Sequence, residues 1–298
     1  MINSNDFPSC HDEGESVVYV DDDSDSVSAS DPEVLRDLIE KEAGNSASWL
    51  QDNRLCVAGE KSKLLVVGTK KLRDLKIENE MRIVVDDKEI TESKSEKLLG
   101  VVVNNQLTWK NHLYGDKDHE GLIPQLGKRL GMMKRLSKYM SKDKLKTFSS
   151  GIFYSKLSYC LPVFGTIFGL DDYKEENSRH TSFTIKDNHN LQVLQNKLNR
   201  LILNAEDCTP TAELLHRTDT LSVQQMIAYQ TAVMSFKIIT SQKPSYIAEK
   251  IPVMDRGADL RHGTINQIKY CKINPKINLK NKYLAISGKW NNFVFFHF

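Results

Sequence analysis

The chain has 298 residues, of which 27% are charged and 40% hydrophobic, with a formal net charge of +2. That length accommodates about two domains, and the balance is ordinary for a folded chain that handles polyanions only locally. The N-terminus is polar and lacks the apolar stretch of a leader. No run approaches the roughly 20 apolar residues of a membrane span. An intracellular protein, nuclear or cytoplasmic and not in a membrane, is therefore expected. Cys10, Cys56, Cys160, Cys208 and Cys271 stand singly, which argues against a disulfide framework or a structural zinc. Acid concentrates between Asp12 and Glu42, and base follows later.

Residues 16–20 have the β-branched and aromatic composition of a strand, and the Asp- and Ser-rich stretch after them has residues that open turns. A hairpin is expected, with Asp21 and Asp22 at its tip. Neighbouring side chains on a strand point to opposite faces, so the two carboxylates converge on one ion only where the backbone bends. Such a tip suits magnesium-dependent phosphoryl or nucleotidyl transfer, where two ions about 3.5–4 Å apart stabilise attacking and leaving oxygens. The alternative is a solvated acidic turn. Asp21, Asp23 and Asp25 also imitate the start of an EF-hand loop, but Ser26 stands where glycine is needed and Pro32 where a bidentate glutamate is needed.

A helix is expected over 31–51, with Asp31 as its cap, Pro32 in its first turn and Val34, Leu35, Leu38, Ile39 and Ala43 as its apolar face. Strands follow around 64–68, 82–85 and 98–103. Trp49 and Trp109 read as core anchors, and His112 and His119 as surface residues. Lys61 is either a site lysine or a solvated one before a strand, and Gly100 either a functional turn or a bulge. From about residue 121 the pattern is helical and basic. Leu126, Leu130, Met133 and Leu136 can face a core while Lys128, Arg129, Lys134, Arg135 and Lys138 stay outside, and a helix from Ser141 adds Lys142, Lys144 and Lys146. A surface insertion is expected over 171–189. Leu191, Leu194, Leu198 and Leu201 then resume helical spacing, and 222–241 reads as a further helix. The basic, Asn-rich stretch 255–284 reads as a poorly ordered tail. The apolar run 293–298 is either a frameshifted or truncated end or a strand that docks late.

Taken in order, Tyr19-Val20-Asp21-Asp22, Trp49-Leu50-Gln51-Asp52-Asn53-Arg54-Leu55, Lys61-Ser62-Lys63, Lys97-Leu98-Leu99-Gly100-Val101 and Leu107-Thr108-Trp109 resemble the reverse transcriptases of non-LTR (LINE-type) retrotransposons. The resemblance covers nearly the whole chain. It implies an α+β fold: a truncated polymerase palm over 1–112 (β-hairpin, helix and short strands), a mainly α-helical basic thumb over 113–204, and a helical C-terminal region over 205–298. It implies an RNA-directed DNA polymerase in which Asp21 and Asp22 hold Mg2+ and Lys61 lies near the incoming deoxynucleotide. Leu99, Gly100 and Val101 form the primer grip, and Tyr19 packs beside the primer end. The thumb cations Lys128, Arg129, Lys134, Arg135, Lys138, Lys142, Lys144 and Lys146 would track an RNA template and DNA primer. Residues 2–8 resemble the segment after the family's Pro-Gln-Gly motif, so the fingers and another palm aspartate are expected to be missing and the chain alone to be inactive. Two other readings compete: a noncatalytic nucleic-acid-binding module and a degenerate transposon relic.

Overall fold

The structure, a computed structural model, describes residues 4–19, 22–29, 31–57, 61–67, 81–86, 88–165 and 183–248, with short strands at 253–254, 267–268 and 292–297. The chain divides into two units, Met1–Gly121 with Trp290–Phe298, and Leu122–Lys289. Helices and small antiparallel hairpins are mixed in an α+β arrangement.

In the first unit, a 3-10 helix at Ser4–Cys10 leads into β1 (Glu15–Tyr19) and β2 (Asp22–Ala29), which pair antiparallel from Glu15↔Ser26 to Tyr19↔Asp22. The expected hairpin is present, and only residues 20 and 21, which lie outside the described residues, connect its strands. The Asp- and Ser-rich stretch is nevertheless strand rather than turn. Its intrinsic β-propensity is low, but pairing on both edges and burial of one face outweigh that. The terminal strand β10 (Asn292–His297) joins the sheet between β2 and β3 (Lys63–Val67), giving the order β1-β2-β10-β3. The apolar C-terminal run is therefore a docked strand.

Helix α1 (Pro32–Asp52) starts as expected: Asp31 has extended backbone and its side chain accepts from the Glu33 amide. The helix runs back over β2, so later α1 residues face earlier β2 residues. Leu35, Ile39, Ala43 and Ala47 pack with Val27, Ala29, Leu64 and Val66 in one core, while Val34, expected on that face, is 52% exposed. Two hairpins complete the unit: β4 (Arg82–Val85) with β5 (Lys88–Thr91), and β6 (Ser95–Leu98) with β7 (Val101–Asn104). The expected single strand over 98–103 is instead two strands folded at Leu99-Gly100. Both turn residues have positive φ, 45° and 86°, the combination of a two-residue hairpin turn.

Helix α2 (Lys110–Tyr114) follows, and His112 is buried rather than on the surface, its Nδ1 accepting from the Val102 amide at 3.3 Å. Beyond it, Asp116 organises a tight loop. Its carboxylate accepts from the Ser95 hydroxyl at 2.6 Å, the Asn111 amide at 2.8 Å and the backbone amides of Asp118 and His119 at 2.9 and 2.7 Å. Partial burial pushes this carboxyl up, but the four donors outweigh it and hold it at about 2. Because the folded value lies below the unfolded one, this contribution is present above about pH 4 and is lost as pH falls through about 2. In Asp116→Asn, the urea midpoint is expected to be lower at neutral pH and to converge on wild type near pH 2. A constant gap between the two proteins across that range would refute the assignment.

In the second unit, α3 (Leu122–Leu136) packs against α7 (Ile185–Leu203). Helix α4 (Lys142–Ser149) continues through a π-helical turn, Ser150–Tyr154, into α5 (Ser155–Ser158), and α6 (Leu161–Phe164) follows. Leu126, Met133, Phe153, Leu157, Leu191 and Leu198 are fully buried here. The surface insertion expected to end at His189 ends sooner. Phe183 is buried and a Thr184–Asp187 capping box starts α7, while 166–182 lie outside the described residues. Helix α8 (Thr211–Thr218), which the sequence pattern did not suggest, precedes α9 (Val223–Ser241), which matches expectation. A short helix, α10 (Ser245–Ala248), and the strand pair β8 (Val253–Met254) with β9 (Gln267–Ile268) come next. Apart from β9, the expected tail lies outside the described residues. No helix among the described residues is long and apolar enough to cross a membrane.

Candidate functional site

Alternation along β2 puts Asp23, Asp25, Val27 and Ala29 on its inward face. The apolar half meets Leu35 and Ile39, and the carboxylate half meets the next turns of α1, where Glu42 and Ser46 are fully buried. His11, just after the 3-10 helix, enters the same space. Its Nδ1 lies 3.0 Å from Glu42 Oε2 and its Nε2 lies 3.1 Å from Asp25 Oδ1. Ser46 donates towards Asp25 Oδ2 at 3.3 Å or the Glu42 carbonyl at 3.1 Å, and Ser16 donates to Asp23 Oδ1 at 3.1 Å. Glu42 also accepts the backbone amides of Asp12 and Glu13, at 3.2 and 2.7 Å. One carboxylate thus binds the N-terminal segment to the helix that follows the hairpin.

The electrostatics of this cluster are unusual for a protein interior. Burial and then the Asp25 charge push Asp23 up to about 7. Burial likewise pushes Asp25 up to about 6, against hydrogen bonds that favour its ionised form. The nearby Cys10 thiol is raised to about 11, by burial first and the Asp25 charge second. One ligand atom each from His11, Asp23 and Asp25 lie within 4.8 Å of one another, so the group could hold a metal ion.

In the sequence, Asp23 and Asp25 stand out only as members of a calcium loop that its later positions reject, and His11, Glu42 and Ser46 do not stand out at all. The signal is nevertheless present in two places. Period-two spacing puts Asp23 and Asp25 in line with Val27. Helical spacing puts Glu42 and Ser46 on the stripe of Leu35 and Ile39.

The residues singled out by resemblance are spread more widely. Tyr19 is 62% exposed on the edge strand β1, and Asp22 is half-buried opposite it; Asp21 lies outside the described residues. Lys61 is exposed just before β3. Because His297 pairs with both Ser24 and Lys63, Lys61 lies at the same end of the sheet as the Tyr19–Asp22 turn, two strands across. Leu99 and Gly100 form the β6–β7 turn, and Val101 begins β7 with its side chain buried.

In the second unit, Lys128, Lys134, Arg135, Lys138, Lys142, Lys144 and Lys146 are exposed. Lys128 and Arg135 share one stripe of α3, and Lys142 and Lys146 one stripe of α4. Arg129 is occupied differently: half-buried, its guanidinium donates to the Ile152 carbonyl within the π-helical turn. Lys142 Nζ reaches the Leu203 carbonyl at 3.2 Å. The stretch after Gln195 has a structural part. Tyr154 donates to Asn199 at 2.9 Å, Gln195 to the Leu221 carbonyl at 2.7 Å, and Asn196 to Thr211 at 2.8 Å, fastening α7 to the elements around it.

Against this geometry, comparisons with family models, curated proteins and solved structures found no match to the chain.

Proposed function

We propose that the chain is a palm-and-thumb portion of a non-LTR retrotransposon reverse transcriptase, one that binds a primer–template duplex and does not polymerise by itself. One observation carries the reading. Tyr19 and Asp22 are directly paired across an antiparallel hairpin, so the Tyr-x-Asp-Asp sequence falls where the chain reverses between β1 and β2. Lys61 at the same end of the sheet agrees with it, as does the Leu99-Gly100 hairpin turn.

By this reading Asp21 and Asp22 would hold magnesium, which in the complete enzyme stabilises the attacking and leaving oxygens of nucleotidyl transfer. Two carboxylates fix such a pair of ions poorly, which is why extension is not expected here. The chain's own contribution is phosphate binding by the exposed cations of α3 and α4. A structural reading of Lys134 and Arg135 exists, since cations complement the dipole at a helix C-terminus. Salt dependence separates the two, because phosphate binding releases counterions and dipole interactions within the protein do not.

The test is anisotropy of a labelled RNA–DNA primer–template across a salt series, with the triple variant Lys134→Ala, Arg135→Ala, Lys138→Ala. Arg129 is left intact because it binds the π-helical turn. The plot of log affinity against log salt is expected to flatten by roughly one unit for each cation–phosphate pair removed, and primer extension with magnesium and deoxynucleotides to be absent. A triple variant with unchanged affinity and slope would remove the duplex-binding assignment. Extension abolished by Asp21→Asn would overturn the claim of inactivity.

A further inference from the structure

The buried cluster around His11 is separate from the Tyr-x-Asp-Asp turn and has no part in the function proposed above. Glu42 Oε2 at 3.0 Å from Nδ1 fixes the imidazole ring and leaves Nε2 on the Asp25 side of the cluster, 3.1 Å from Asp25 Oδ1 and 3.5 Å from Ser46 Oγ. Asp25 is only 1% exposed, and its Oδ1 accepts no hydrogen bond although Nε2 lies 3.1 Å away. Nε2 and Oδ1 thus approach to 3.1 Å without forming a hydrogen bond. Among the described residues the ion pairs of Asp25 and Glu42 both run to His11, while Lys41 pairs with Asp12 at the exposed rim. Three carboxyl groups gathered in the interior around one imidazole are costly to ionise unless a cation is shared among them.

We propose that His11, Asp23 and Asp25 form a binding site for one divalent transition-metal ion, with Glu42 as the positioning residue that orients the imidazole. Two donors each about 2.0–2.2 Å from one ion lie about 3.0–3.5 Å apart, which accommodates the Nε2–Oδ1 separation. The third donor, from Asp23, is within 4.8 Å of the others. A carboxylate on the far nitrogen of a ligating histidine is the recurrent outer-shell arrangement of such sites, and it raises the basicity of the metal-bound nitrogen. One imidazole with two carboxylates selects Zn2+ or Mn2+ over Mg2+, which prefers oxygen and keeps its waters. The site would bind the N-terminal segment, β2 and α1 into one body.

The experiment is calorimetric titration of the chelator-treated chain with Zn2+ alone, Mn2+ alone and Mg2+ alone, together with melting followed by tryptophan fluorescence. One Zn2+ or Mn2+ per chain and a raised melting temperature are expected, with Mg2+ at least tenfold weaker. His11→Gln and Asp25→Asn should each abolish the response, and Glu42→Gln should weaken affinity by 10–100-fold. Asp25→Asn is nearly isosteric and removes a buried charge, so it keeps the fold testable. For variants that do not fold, the visible spectrum of the Co2+ form of the wild-type chain decides: a mixed nitrogen–oxygen site supports the proposal, and a thiolate band would assign binding to a cysteine and overturn it. No saturable binding in the wild type, or wild-type affinity in His11→Gln and Asp25→Asn, would equally overturn it.

Discussion

Glu42→Ala is expected to cost about 3–5 kcal/mol of stability, the usual loss when one member of a buried, hydrogen-bonded charge cluster is removed. The side chain is fully buried in α1 and accepts from groups about thirty positions earlier in sequence: the Asp12 and Glu13 amides and the His11 ring. Alanine leaves those part-buried donors without their carboxylate, and a buried donor without a partner costs about 1–3 kcal/mol. The rest of the segment has less to hold it. Phe7 packs edge-on against Trp49 at 4.9 Å and against the His11 ring at 5.4 Å, so losing the Glu42 anchor should loosen the aromatic packing as well. Glu42→Gln keeps the shape and one acceptor, and its loss should be smaller. Chemical denaturation followed by tryptophan fluorescence gives the stability, and amide exchange at 5–14 gives the local release. If Glu42→Ala costs less than about 1 kcal/mol, the N-terminal segment is not anchored as described.

What could be read in the sequence followed from rules that act over a few residues. Asp31 before Pro32 located the start of α1, the β-branched run before Asp21 located β1, and leucine spacing located α7. What failed depended on neighbours distant in the chain. Ser- and Asp-rich β2 is a strand because β1 and β10 pair with its two edges, and β10 arrives from more than 250 residues later. His112 is buried because β7 offers it a backbone amide, and Arg129 leaves the expected cationic face because a π-helical turn offers it a carbonyl. The Leu98–Leu99–Gly100–Val101 run looks like a strand by composition, yet glycine at positive φ folds it into a turn. The candidate metal cluster was hidden for the same reason: its histidine, its two aspartates and its glutamate come from three elements, and each residue alone reads as surface charge.

Gly121→Ala is expected to destabilise the first unit by about 3 kcal/mol, the upper range for forcing atoms into a space already filled. A Cβ at Gly121 would sit 2.6 Å from the Leu113 carbonyl oxygen and closer still to the backbone of Tyr114 and Gly115. All three are main-chain neighbours, so no side-chain rotation can relieve the clash. Gly115 faces the same constraint from the other side, with φ of +90° and a hypothetical Cβ 2.7 Å from the Gly121 nitrogen. Separating the two glycines breaks the Gly115–Glu120 bridge and the loop that Asp116 organises, and it draws α2 away from the Val102 amide that His112 caps. Gly127→Ala and Gly131→Ala are the matched controls. Both glycines lie inside α3 with nothing within 4 Å of the added carbon, so alanine there should stabilise by roughly 0.5–1 kcal/mol. The two effects can be followed separately because Trp49, Trp109 and Trp290 all belong to the first unit, whose unfolding tryptophan fluorescence reports. Far-ultraviolet circular dichroism is weighted towards the helical second unit. Gly121→Ala should move the fluorescence midpoint to lower denaturant, whereas the α3 substitutions should move only the dichroism midpoint, and upward. If Gly121→Ala leaves the fluorescence midpoint unchanged, the close backbone approach at 113–121 does not exist in the folded protein.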